Sequence, residues 1–269
     1  MALDICGDPG LPETAATPAE ILPSDRVGFP EGFRESFLRF YTFDRFDAGL
    51  ISRVCANEVA AQVQPGEAYP HGSVLLSEAW RPVRDANDEY VLDEDGRLIP
   101  GELTGVFLMR KDEGLGAGYG SDRSGEWEYV AFRPDGTYLT TPEASASCAA
   151  CHNVGIGAAH DYVFRTGVRF MPGQYARTDP LGEGEIGISR MSFQSGPRTV
   201  PVGTTITWRN SMIDETNHQI AGGDGDLAFA SEVLGPGETF SHTFTEPGLY
   251  EFTCPMHPVQ MQGVIEVTE

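Results

Sequence analysis

The sequence has a single lysine, Lys111, among 18 basic residues that face 40 acidic ones. That shortage excludes a grip on nucleic-acid backbones, which rests on neutralising phosphates with Lys and Arg. The net charge of −22 leaves an acidic surface suited to solubility, to a salty habitat or to receiving a basic partner. No apolar run approaches the roughly 18 residues that a membrane span needs. Met1-Ala2-Leu3-Asp4 lacks the basic and apolar regions of a signal peptide, so the chain is either cytosolic or stripped of a leader. Ile5 stands where a lipoprotein cleavage site carries a small residue, which argues against Cys6 as a lipid anchor.

What is present points to two mainly β domains. The 269 residues exceed one ordinary domain, and a 40% hydrophobic content supplies a core. Residues 1–24, rich in Pro, Ala and Thr without periodicity, read as a flexible lead-in. Phe33, Phe37, Leu38 and Phe40 fall on one stripe and predict a short amphipathic helix over Glu31–Tyr41. Val74–Trp80, Tyr90–Leu98, Thr104–Met109 and Trp127–Phe132 read as strands of an antiparallel meander, with Gly114–Gly125 as a long flexible loop. The first domain then spans 25–168. Pro- and Gly-rich residues 169–184 read as a linker, and 185–269 as a β-sandwich with strands at Gly187–Gln194, Thr204–Arg209, Glu238–Thr245, Gly248–Thr253 and Gly263–Thr268.

Cys148-Ala149-Ala150-Cys151-His152 has the C-x-x-C-H pattern of c-type haem attachment. Each thiol can form a thioether to a haem vinyl group, and the adjacent His152 reaches the iron as proximal ligand. A thioredoxin-like redox pair would want a βαβ context. A zinc site would want a second ligand pair, and only His160 is near in sequence. Together with Gly72-Ser73-Val74-Leu75-Leu76-Ser77-Glu78, Met109-Arg110-Lys111-Asp112, Trp127-Glu128-Tyr129-Val130-Ala131-Phe132 and Asp161-Tyr162-Val163-Phe164, the motif resembles the cytochrome P460 and cytochrome c′-β family over roughly residues 30–168.

That resemblance implies a haem c on an antiparallel sheet, His152 as proximal ligand and an open distal side. Cytochrome P460 members oxidise hydroxylamine and carry a lysine cross-linked to the haem. The register of the resemblance puts that lysine at Ser77. The chain therefore looks more like the c′-β branch, which binds nitric oxide and other small gases. Phe107 and Phe132 are candidates for an apolar distal lid, with a core role as the plainer reading of either. His71 and His160 read as turn and loop residues more than as a sixth iron ligand.

In the second domain, Cys254, His257 and Met261 with an upstream histidine supply the His₂Cys set and weak axial thioether of a blue copper site. His218 is expected to be that histidine; His242 competes, but in Phe240-Ser241-His242-Thr243-Phe244 it is read as facing away from the phenylalanines. This half resembles the plastocyanin, pseudoazurin and amicyanin cupredoxins over nearly all of 186–269, implying a Greek-key sandwich. Met261-Gln262-Gly263 fits the Met-x-Gly ending of that family, while an amicyanin-like count would make Gln260 axial.

Cys6 and Cys55 remain, as a disulfide or as two buried thiols. Haem c and type 1 copper both place the chain in the periplasm, with its signal peptide removed. The expected protein is a two-domain redox carrier in which copper exchanges electrons with an open-site haem c that binds a small gas such as nitric oxide. Its partner would be another redox protein, basic in charge. The alternatives are an oxidoreductase of hydroxylamine or nitric oxide and a plain two-centre electron carrier. The family resemblance also admits a homodimer.

Overall fold

The computed structural model describes residues 5–7, 16–64, 66–155, 157–163, 174–189, 192–194, 196, 198–211, 216–258 and 261–269. The chain divides into two units, Met1–Arg45 with Gly49–Arg177, and Phe46–Ala48 with Thr178–Glu269. Among the described residues no helix is long and apolar enough to cross a membrane.

The first unit is built on β1 (Leu38–Arg45), β2 (Leu50–Ala56), β3 (Ser73–Pro82), β4 (Pro100–Lys111), β5 (Trp127–Phe132), β6 (Tyr138–Thr140) and β7 (Gln174–Thr178), in the order β6-β5-β4-β3-β2-β1-β7. From β1 to β6 each strand pairs antiparallel with the next in sequence, so the expected antiparallel meander is present. Side chains alternate across a sheet. The registers Glu78↔Val106↔Phe132 and Leu76↔Leu108↔Val130 therefore define one face, and Ser77↔Phe107↔Ala131 and Leu75↔Met109↔Tyr129 the other. The first of these faces is sealed. Val106 and Phe132 are fully buried and Leu76 and Leu108 nearly so, each contributing roughly 1.5–3 kcal/mol of burial.

Cys6 and Cys55 are joined by a disulfide with Cα atoms 5.8 Å apart, which ties the N-terminal segment to β2. Closing a loop of that sequence separation of 49 constrains the unfolded chain by about 4 kcal/mol on the chain-entropy account.

Several local expectations fail for identifiable reasons. The helix read over Glu31–Tyr41 is only α1 (Phe33–Ser36), and the chain then enters β1. A register shift between Arg39 and Tyr41 inserts a residue into the β1–β2 ladder. Of the apolar stripe, Phe33 and Phe37 do lie at helical spacing on α1 and its C-cap, whereas Leu38 and Phe40 already belong to β1. Tyr90–Leu98 carries only the isolated bridges Arg84↔Tyr90 and Leu92↔Leu98 around its turn. Gly114–Gly125 is not a loose loop: it contains a 3-10 helix, Ala117–Asp122, with Leu115 and Tyr119 buried. Gly116 has φ +70, and a Cβ there would lie 2.5 Å from the Trp127 carbonyl, so glycine permits the close approach. Residues 174–178 of the predicted linker form β7 at the sheet edge. Two short helices complete the unit, α2 (Glu58–Ala61) and α3 (Ala146–Gly155).

The second unit has two sheets. One is β10 (Thr199–Pro201), β16 (Gln262–Thr268), β15 (Gly248–Thr253), β12 (Ala221–Gly222) and β13 (Phe229–Ala230). The other is β14 (Thr239–Thr243), β11 (Thr205–Asn210), β8 (Glu185–Ser189) and β9 (Ser192–Phe193). Both parallel and antiparallel neighbours occur, β8–β11 and β10–β16 being parallel. Residues of both sheets share one core in which Ile186, Ile206, Trp208 and Ile265 are fully buried. Trp208 stands at its centre, with Phe229, Phe240 and Phe252 rings 5.3–5.8 Å away. The unit is the β-sandwich that the strand spacing predicts.

Candidate metal centres

Cys148, Cys151 and His152 lie on α3, where residues three and four apart share a face. Neither cysteine is in a disulfide. Burial pushes the Cys148 thiol up, the reverse of the lowered pKa that activates a redox dithiol. Among the described residues the group of His, Cys, Asp and Glu side chains close enough to share a metal ion is His218, Cys254 and His257.

His152 is set from two sides. Its Nδ1–H donates to the Tyr162 carbonyl at 2.6 Å, which assigns Nε2 as the nitrogen a haem iron would take. Its ring lies 4.8 Å from that of Tyr129. Tyr129 is buried and shares a hydrogen bond of 2.7 Å with Ser124, while its amide donates to the Tyr119 hydroxyl. Burial pushes the Tyr119 phenol up to about 12 and that of Tyr129 further, so both stay neutral.

Tyr162 and the preceding Asp161 both have left-handed backbone, φ +60 and +51. For non-glycine residues that costs roughly 1–3 kcal/mol each and persists only where the surroundings enforce it. Here Lys111 Nζ contacts both Asp161 carboxylate oxygens at 2.9 and 3.0 Å, and the Tyr69 amide donates to the same carboxylate at 2.8 Å. Trp127 Nε1–H donates to the Asp161 carbonyl at 2.9 Å.

The Tyr129 face of the sheet carries Phe107, flanked by Ser77 on β3 and Ala131 on β5. Phe107 sits on a central strand and is yet 43% exposed. An exposed aromatic ring there, on the side that bears His152, fits a flat apolar macrocycle. Phe132 does not fit the lid role. It is fully buried on the opposite face, with the Phe29 and Tyr138 rings 5.2 and 4.7 Å away, and serves the core. His71 hydrogen-bonds Glu126 at 2.7 Å on the exposed side of the unit. The side chain of His160, and Phe164, lie outside the described residues.

At the second centre, His218, Cys254 and His257 are all buried, with ligand atoms within 4.8 Å of one another. Both imidazoles present Nδ1 to the Cys254 sulfur, at 3.9 and 3.5 Å. Burial pushes that thiol up, but His218 and the amides of Gln219 and Met256 outweigh it and hold the group below the ordinary thiol range. The loop after β15 closes on itself: the Cys254 amide donates to the Met261 carbonyl, the His257 amide to Cys254, and the Met261 amide to His257. Met261 is fully buried. Gln260 lies outside the described residues. His242 is not in this group, but it is not turned from the phenylalanines as expected: positions 240, 242 and 244 share a face, and its ring is stacked on Phe229 at 4.3 Å and lies 4.9 Å from Phe244.

A model of the cytochrome P460 family matches residues 30–165, just over half of the chain. The chain belongs to that family. Residues 182–268 match the copper-binding proteins of the plastocyanin/azurin family. Amicyanin of Paracoccus denitrificans is 34% identical over 83 residues, which cover 30% of this chain and 63% of that protein. Amicyanin-alpha of Methylorubrum extorquens is 32% identical over 89 residues, 33% of this chain and 74% of the relative. The chain thus spans under two thirds of the first of these relatives. A solved structure of a reduced amicyanin mutant is 30% identical and covers 32% of this chain and 83% of its own, at a TM-score of 0.30.

This cytochrome P460 family member therefore carries a haem domain followed by a type 1 copper domain with His218, Cys254, His257 and Met261 as the copper set, and it is a redox protein. The donors fit copper: a thiolate, two imidazoles and a thioether suit both of its oxidation states. Residues that sequence reasoning passed over hold these donors in place. Asn210, fully buried, donates Nδ2 to the Thr216 and Leu234 carbonyls and fixes the segment that bears His218, whose own backbone is bridged to Leu234. The Gln219 amide donates to the Cys254 sulfur at 3.4 Å. In the haem unit the comparable residues are Tyr129, Lys111 and Asp161.

Proposed function

We propose that the chain is a periplasmic electron-transfer protein in which copper exchanges electrons with a covalently held haem c that takes nitric oxide or a similar small gas. Cys148 and Cys151 would carry the thioethers and His152 the proximal bond, with Tyr129 restraining the imidazole plane. Bound haem supplies a one-electron iron couple with a position for a diatomic ligand, and copper supplies a second couple that needs little rearrangement. The observation that carries this reading is the pairing of a His152 ring fixed through Nδ1 with a half-exposed Phe107 on the same side of the sheet.

Ser77, cross-strand from Phe107, supports the c′-β branch over hydroxylamine chemistry. A serine there offers no amine for a haem cross-link, and Lys111 is held by Asp161. The disulfide and the copper thiolate favour an oxidising compartment. The net charge of −22 favours a basic redox partner, whose association would slow as salt rises.

The test is the spectrum of the fully reduced protein before and after nitric oxide. A saturable change in the haem bands is expected. An unchanged spectrum means that the iron is closed by a second protein ligand, and leaves a plain two-centre carrier. Steady turnover of hydroxylamine with an electron acceptor would replace this reading with the oxidoreductase.

A further inference from the structure

The chain's single lysine stands at a position where its charge is sealed by one partner. Lys111 and Asp161 are each only 12–13% exposed at the side chain and meet at 2.9 Å. Lys111 ends β4 on the face that carries Tyr129, directly across from Trp127 on β5. Asp161 is held at three more points on its way to Tyr162, by the Lys111 contact to its second oxygen, the Tyr69 amide and the Trp127 indole. The next residue, Tyr162, turns its carbonyl onto His152 Nδ1. Its ring rests on Gly125, where a Cβ would come within 2.7 Å of it. Two successive left-handed residues would relax to ordinary backbone if released.

We propose that Lys111 is a positioning residue for the haem iron: its ion pair with Asp161 holds the Tyr162 carbonyl against His152 Nδ1 and thereby sets the strength of the iron–imidazole bond. The proposal rests on the reading of His152 as the proximal ligand. A carbonyl that accepts from Nδ1–H makes the imidazole a stronger donor. A stronger donor favours ferric over ferrous iron and stiffens the iron–nitrogen bond. Loss of the clamp lets the Tyr162 carbonyl drift, with the opposite effect on both. The copper centre, which uses none of these residues, is the internal reference.

The experiment uses the full haem- and copper-loaded chain with Lys111→Met, Lys111→Arg and Asp161→Asn. The readouts are the iron–histidine stretching band of the ferrous protein and the reduction potential of each metal. Lys111→Met should move the band to lower frequency and the haem potential upward, and Lys111→Arg should restore most of both. Asp161→Asn, which keeps an acceptor for Tyr69 but loses the charge, should shift them in the same direction by less. The copper potential should not move. If Lys111→Met fails to load haem, Asp161→Asn against Lys111→Arg carries the comparison. A band and potential unchanged in the loaded Met and Asn variants overturn the clamp alone. Absence of an iron–histidine band in the parent protein overturns the proximal assignment and the clamp with it.

Discussion

The two metal centres are assembled in different ways. Three of the four copper ligands come from one loop of eight residues, Cys254–Met261, and that loop is closed by hydrogen bonds between its own ligand residues. The haem side has its proposed attachment residues on one short helix, but the groups that orient His152 come from β4, β5 and the segment that follows the helix. A site built within one loop is carried by local spacing. A site built across a sheet depends on register, and its supporting residues are scattered along the sequence.

Substitutions can sharpen that contrast. Cys254→Ser should have the largest effect: complete loss of the intense thiolate-to-copper absorption, with the haem spectrum intact. Simultaneous loss of haem bands would mean that the two centres do not form independently. Asn210→Ala should come next. It leaves the Thr216 and Leu234 carbonyls without their donor, a loss of about 2–4 kcal/mol from the copper unit, visible as a lower denaturation midpoint and weaker copper retention. Its counterpart on the haem side, Tyr129→Phe, removes only the hydroxyl contact to Ser124 and keeps the ring beside His152. About 1 kcal/mol should be lost, with the haem bands unmoved; a displaced haem band would show that the hydroxyl, and not the ring, orients the imidazole.

The smallest effect belongs to an exposed carboxylate. Glu126 is held below its usual range first by the Gly114 amide and then by His71. Its folded pKa lies under the unfolded one, so its contribution is present above the unfolded value and is lost as the pH falls through the folded one. Glu126→Gln should flatten that acid limb of a stability-against-pH series slightly and leave the neutral region alone. A change at neutral pH that exceeds the acid one would contradict the assignment.

The same contrast explains what the sequence made legible. Cys254, His257 and Met261 could be read because the donor set and its order lie within eight residues; the proposed attachment at Cys148-Ala149-Ala150-Cys151-His152 rests on the spacing that thioether chemistry demands. His218 was the right choice for a reason the strand pattern does not supply: positions 240, 242 and 244 share one face, and it is the packing of His242 on Phe229 and Phe244 that occupies the competitor. Asn210 could not be read, since a buried asparagine at a strand end looks like any turn residue until its two acceptors are known. The clamp on Tyr162 was hidden for a stronger reason: Lys111 and Asp161 are fifty positions apart, and only the β4–β5 register brings Lys111 alongside Trp127. The helix expected over Glu31–Tyr41 was drawn too long because the apolar residues of α1 and its C-cap, Phe33 and Phe37, run on directly into Leu38 and Phe40 of β1. For Phe132 the plainer reading, a core residue, holds: alternation along β5 left open which face is sealed, and the Phe29 contact decides it.

The most direct test is the mass of the intact chain and of its haem peptide under denaturing, non-reducing conditions. The proposed reading predicts one haem bound only through Cys148 and Cys151 and an unmodified Ser77, alongside the Cys6–Cys55 disulfide. Haem that dissociates on denaturation, or a haem peptide cross-linked to a second segment of the chain, would contradict the account.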